Sequence, residues 1–158
     1  MLYRWLLFLH IGSALAFVGL HGASMVVLYT IRRETDRARI VNLITLSGET
    51  ARPMYVSLGL IVASGAGLGI KLSSFRHWWI WLAIVVLAAT VGAMTAVAKP
   101  YFARIKEACQ VRPSGVPRTS DEELGALLSG SLAHVITAIG AGGLAIVVYL
   151  MIFKPGMF

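Results

Sequence analysis

The chain has one cysteine in 158 residues, Cys109, which excludes an intrachain disulfide and a cysteine-ligated metal cluster. It is poor in charge: 13% of residues are Asp, Glu, Lys or Arg, against about 25% in a soluble domain. Acidic residues are scarcest, seven against fourteen basic ones. With so few carboxylates, none of them inside a long apolar run, paired-carboxylate hydrolysis has nothing to work with. Neither a Ser–His–Asp set nor a phosphate loop occurs in those runs. The glycine-rich Gly65-Ala66-Gly67-Leu68-Gly69 lies within an apolar run with no preceding strand, so it is not a nucleotide loop.

What is present in excess is hydrophobicity, 58% of residues with a mean hydropathy of +0.79. Four runs meet the roughly 20 apolar residues that a membrane crossing requires: Leu2–Ile31, Pro53–Ile70, Trp78–Ala98 and Gly125–Phe153. The helices carrying them are expected at about 2–31, 51–72, 78–102 and 122–153. The expected fold is therefore all-α, a polytopic up-down-up-down bundle of four transmembrane helices forming a single domain over 1–158. The uncharged run from Trp5 to Ile31 is far longer than the roughly 7–15 residues of a signal-peptide core, so the first run reads as a span.

Basic residues sort by loop. Arg32, Arg33, Arg37, Arg39 and Arg52 fall between spans one and two, and Lys99, Arg104, Lys106, Arg112 and Arg118 between spans three and four. The other side holds Arg4, Lys71, Arg76 and Lys154. Positive charge in short loops marks the cytoplasmic face, which places both termini outside and points to a bacterial inner membrane. The net charge of +7 thus serves orientation and lipid headgroups, not nucleic acid. Tyr3, Trp5, Trp78, Trp79 and Trp81 are expected in the outer aromatic belt, and Tyr29, Tyr55, Tyr101 and Phe102 in the inner one.

Local signals refine the ends. Ser120 with Glu123 forms a capping box opening the fourth helix. Pro53 sits in a first helical turn, and Lys99-Pro100 reads as a snorkelling cation at a helix end. Ile40, Val41, Leu43, Ile44 and Leu46 suggest a short amphipathic helix on the inner membrane surface. Small residues repeat every fourth position on Gly59-Ala63-Gly67, on Ala88-Gly92-Ala96 and on Ala133-Thr137-Ala141-Ala145, the spacing that lets helices approach closely in lipid.

The chemistry-bearing residues are histidines, because an ionisable side chain within a span is costly and marks function. His10 and His21 lie in the first span, His134 in the fourth, and His77 at the outer edge of the third. His10 and His21 are eleven residues apart, so they share a helix face about 16 Å apart along the axis. Counting from the outer interface puts His21 and His134 at matching depth, roughly 24–26 Å down. Two imidazoles level on neighbouring helices would suit the axial positions of a haem b. His10 would then serve a second haem or an outer redox site, and His77 is a weaker metal candidate. Met25, Met54 and Met94 in the inner halves of their spans offer copper(I) as the alternative, since thioether and imidazole suit that ion. A third possibility is a cofactor-free subunit whose small-residue faces pack against partner helices.

The segments Leu7–Ala23 (LFLHIGSALAFVGLHGA), Ala96–Ile105 (AVAKPYFARI) and Tyr149–Pro155 (YLMIFKP) resemble those of an uncharacterised family of bacterial four-helix integral membrane proteins. CopD-type copper-resistance proteins and HemJ-type protoporphyrinogen oxidases are its wider relatives. The HemJ-type resemblance implies a b-type haem held by a first-helix His, matching His10, and a third-helix Lys. Lys99 lies at the inner end of its helix, away from the level of His10, so the histidine carries over and the lysine does not. Together these readings lead to the expectation of a b-type haem protein for transmembrane electron transfer, acting as a subunit or partner of a larger redox system or as a homo-oligomer.

Overall fold

The computed structural model describes residues 1–156 and is all-α. Its elements are α1 (Leu2–Ile31), α2 (Arg37–Glu49), α3 (Ala51–Lys71), a 3₁₀ turn (Ser74–Arg76), α4 (Trp78–Ala108), α5 (Asp121–Ser129) and α6 (Leu132–Phe153). Four helical segments are long and apolar enough to cross a membrane: Leu2–Ile31, Arg37–Lys71, Trp78–Ala108 and Asp121–Phe153. Most of their apolar side chains point outward, as a bilayer requires, because lipid supplies no hydrophobic force to turn them in. The bundle is built from two intimate pairs, α1 with α3 and α4 with α6, while α1 and α6 touch only sparingly.

The tightest packing is at the arginine-rich end. Leu28 and Ile31 of α1, Ile40 and Ile44 of α2, Tyr101 and Ile105 of α4, Leu124 and Leu128 of α5, and Ala133 and Ile136 of α6 form one cluster. The amphipathic helix expected around Ile40 to Leu46 is thus real, and its apolar face is turned into the bundle. Asp36 caps it, accepting from the Ala38 and Arg39 amides. Tyr101 and Trp79, expected at the lipid interfaces, are core residues at 2% and 3% exposure.

Two expected boundaries move. The third helix does not stop at Lys99-Pro100 but continues through Pro100 to Ala108. Proline removes one backbone hydrogen bond, and burial of Tyr101, Ile105 and Ala108 on the following turns offsets that loss. The fourth helix is interrupted at Gly130-Ser131, so that α5 and α6 are separate. Arg32 closes this break by donating to the Ser129 carbonyl at 3.1 Å and the Gly130 carbonyl at 2.7 Å. The capping box holds, the Ser120 hydroxyl accepting from the Glu123 amide and the Glu123 carboxylate from the Ser120 amide, each at 3.2 Å. Of the small-residue faces, Gly59 and Gly92 look onto open space. The glycines actually used in close contact include Gly67, beneath Leu6, and Gly143, beneath Thr90.

Arg37 is the second clamp. It donates to the Ala108 carbonyl at 2.8 Å, to the Thr119 carbonyl at 2.8 Å and to the Asp121 carboxylate at 2.6 Å. It thereby joins the end of α4 to the start of α5. Arg37 is mostly buried and Asp121 is 94% exposed. Removing the guanidinium orphans two carbonyls, whereas removing the carboxylate leaves Arg37 with both. Arg37→Met is expected to cost about 2 kcal/mol, and Asp121→Asn less than about 1 kcal/mol, in unfolding of the purified protein. Equal losses would disprove that ranking. Cys109 lies beside the clamp, and burial pushes its thiol up from the ordinary value, against a smaller opposing pull from Arg37. Maleimide labelling of the folded protein should therefore be slow at pH 8 and fast on unfolding. Because the folded state holds the proton more tightly, the thiol's contribution to stability falls as pH rises past its ordinary value.

Candidate functional site

His10 lies two turns into α1, on the face that packs against α3. Its Nδ1 is 3.0 Å from the Ile61 carbonyl and 3.2 Å from the Ser64 hydroxyl. A carbonyl only accepts, so Nδ1 carries the proton and donates it. Ser64 is 1% exposed, and its own hydroxyl hydrogen goes to the Leu60 carbonyl, which leaves its oxygen free to accept from His10. This assignment leaves Nε2 with its lone pair, and that nitrogen makes no hydrogen bond among the described residues. The ring fits closely because residue 65 is glycine: a Cβ there would lie 3.0 Å from His10 Cε1.

His21 is also half-buried, eleven residues further along α1. It stacks parallel to Phe17 one turn earlier, with ring centroids 6.1 Å apart and planes within 1°. Its Nε2 points at α6, where a Cβ on Gly140 would sit 2.6 Å away. Met94 of α4 reaches the same notch. Its Sδ is 3.5 Å from that Cβ position and His21 Nε2 is 2.6 Å from it, so nitrogen and sulfur are at most about 6 Å apart. The enclosed Thr137 hydroxyl, one turn away on α6, makes no hydrogen bond.

His134 is elsewhere. It occupies the first turn of α6, is exposed, and its Nδ1 lies 3.3 Å from the Tyr29 hydroxyl, with ring centroids 5.9 Å apart. His21 meets α6 at Gly140, six residues or about 9 Å beyond His134. Side chains on a helix lean toward its N-terminus, which carries the His134 ring further from that level. The expected facing pair is not formed. Depth counted along each helix gives no axial offset between helices: α1 and α6 are staggered so that His21 lies level with Gly140 and His134 with Tyr29. His77 marks the start of α4, with extended backbone and no side-chain cap. Met25 lines an open groove with Gly22, Val26 and Tyr29.

The donor chemistry answers which groups these residues could hold. Iron at the axial positions of one haem needs two nitrogens on opposite faces of a single plane, and His21 and His134 do not provide that. His10 does fit single-sided ligation: the tautomer is fixed by a backbone carbonyl on the far nitrogen, the arrangement that orients metal-bound histidines. Ser64 and Gly65 are the contributions that sequence reasoning missed. The serine and the glycine lie on the side of α3 facing His10, but nothing in their spacing distinguishes them from other small residues nearby.

Compared with family models, curated proteins and solved structures, the chain matches none.

The glycine notches generate a direct test. Gly140→Ala drives a methyl into His21 and forces ring or helix to move, at a cost of about 1–3 kcal/mol. Gly59→Ala meets nothing within 4 Å and should be neutral or slightly stabilising. Thermal unfolding of both purified variants checks the pair, and a neutral Gly140→Ala would show that His21 does not seat there.

Proposed function

We propose that the protein is a haem-binding subunit of a membrane redox system, with His10 Nε2 as the iron ligand. One observation carries this reading: an imidazole within a span whose Nδ1 proton is committed to the Ile61 carbonyl and whose Nε2 lone pair is uncommitted. Sustaining an unpaired nitrogen lone pair at that depth is costly unless something binds it. A b-type haem would supply an iron that takes up and releases one electron. The chain's own part is to hold the imidazole. Ile61 and Ser64 fix its tautomer, and Gly65 admits the ring. His10 is the one ligand this chain would offer such a haem, and a second copy or another redox subunit would have to supply any further one. The lysine and arginine distribution supports an orientation with the arginine-rich end in the cytoplasm and both termini outside, in keeping with a bacterial inner membrane. His10 is then near the outer face.

A second reading rests on His21 and Met94. Their convergence on Gly140 joins an imidazole and a thioether from different helices, the donor pair that favours copper(I). Metal analysis separates the two: copper bound without iron, and lost in Met94→Leu, favours the second.

The decisive measurement is a dithionite-reduced minus oxidised spectrum of protein expressed with ample haem. A b-type α-band is expected from the wild type, absent in His10→Ala and retained in His134→Ala. Ser64→Ala, which leaves the carbonyl bond in place, should keep the band while shifting the reduction potential. A wild type without any α-band ends the haem reading.

A further inference from the structure

The segment after α4 is an ordered hairpin. The Arg118 amide donates to the Gln110 carbonyl, the Arg112 amide to Val116 and the Gly115 amide to Arg112, each at 2.9 Å, with Val111 bridged to Pro117. The turn Arg112-Pro113-Ser114-Gly115 has proline at its second position, where φ is already set, and glycine at the fourth, where φ is +80°. Arg112 and Arg118 flank the neck of this hairpin. The Arg37 clamp fixes the chain on either side of it, at Ala108 and Thr119.

Between the hairpin and the last turns of α4 lies a concavity of about 610 Å³ lined by Arg104, Glu107, Ala108, Arg112, Arg118 and Thr119. Three guanidinium groups face one carboxylate. Glu107 is engaged with Arg118 at 3.6 Å, a long pair between side chains that are 69% and 51% exposed, so it neutralises little. The side chains of Arg104 and Arg112 have no hydrogen-bond or ion-pair partner among the described residues. Of the three acids at the start of α5, Asp121 is engaged by Arg37 and Glu123 by the Ser120 amide, while Glu122 is exposed and forms no ion pair with the pocket arginines among the described residues. Arg104 is six residues past Ala98, about 9 Å along α4 beyond the apolar run. That is the level of headgroup phosphates when the run from Trp78 to Ala98 fills the roughly 30 Å hydrocarbon layer.

We propose that this arginine pocket binds the phosphate group of an anionic ligand. The bilayer offers that group as an acidic phospholipid headgroup, and solution offers it as a free phosphate. Guanidinium matches a phosphate's oxygens through paired N–H donors, and three of them around one concavity supply charge and geometry together. Basic pockets between helices at the membrane surface recognise headgroups on the same terms. The inference stands apart from the haem reading, since His10 is at the other end of the bundle.

The test uses the full chain in detergent and reads retained phosphatidylglycerol by native mass spectrometry. In a second arm, inorganic phosphate is added and the unfolding temperature is followed. The double variant Arg104→Gln with Arg112→Gln should retain about tenfold less lipid than wild type. The corresponding double lysine variant should keep part of the binding, and Arg76→Gln at the opposite end should match wild type. Lipid retention unchanged by the double glutamine variant, but phosphate stabilisation lost in it, supports the site with a soluble source. Neither arm responding to the glutamine substitutions, or Arg76→Gln losing as much lipid as they do, overturns the proposal.

Discussion

Two guanidinium groups closing on helix-end carbonyls hold this bundle together. A helix leaves its last carbonyls without partners and carries partial negative charge there. Arg37 meets that need at the end of α4, and Arg32 meets it at the end of α5. Each reaches across more than seventy residues of sequence, so each joins parts of the chain that no local signal connects. The buried cluster around Ile31, Ile40, Tyr101 and Ile105 fills the space between the clamps. Here, at the arginine-rich end, helices outside the apolar runs can bury side chains by the same drive that folds soluble domains. Within lipid that drive is absent, and the remaining length of the bundle is held by close packing and by hydrogen bonds such as that of His10 to Ile61.

That division explains where the histidines are. His10 and His21 each press into a glycine on another helix, Gly65 and Gly140 respectively. A flat ring against a residue without a side chain gives close packing without a large hole, and it orients the imidazole. For His10 the orientation is reinforced by a hydrogen bond, so one nitrogen is assigned and the other is available. For His21 the nitrogen itself faces the notch, beside a sulfur. The two rings therefore differ in chemistry: a nitrogen presented away from its carbonyl partner, and a nitrogen set against Gly140 of α6 beside the sulfur of Met94.

Much of the architecture was legible in the sequence because apolar run length reports directly on membrane crossing, and the first helix, Leu2–Ile31, agrees to the residue. The capping box at Ser120 was legible for a similar reason, since its two partners are three residues apart. The misreadings share a cause. Pro100 looked like a stop, yet tertiary burial of Tyr101 and Ile105 carried the helix past it. The His21–His134 pairing assumed that equal counts from the outer ends put residues of α1 and α6 side by side, but the two helices are staggered, and His21 meets Gly140 while His134 meets Tyr29. Likewise, regular small-residue spacing picked Gly59 and Gly92, which face nothing. Periodicity identifies a face of a helix; it does not say which helix, if any, lies opposite.

What distinguishes a working glycine from an idle one is the knob on its neighbour. Gly65 and Gly67 receive His10 and Leu6 from α1; Gly140 and Gly143 receive His21 and Thr90 from α1 and α4. The first two lie on α3 and the last two on α6, so α1 contacts both halves of the bundle through its histidines. His10 joins α1 to α3 within one intimate pair, and His21 is a contact from that pair to the other. Because α1 and α6 otherwise touch sparingly, the seating of His21 at Gly140 bears on how the two pairs stand relative to each other. A ligand drawing the His21 nitrogen away from α6 would act on that relation directly, whereas a ligand on the free nitrogen of His10 would leave the α1–α3 contact intact. The geometry thus gives the two histidines different mechanical places: His10 lies within the α1–α3 pair, and His21 lies between that pair and α6.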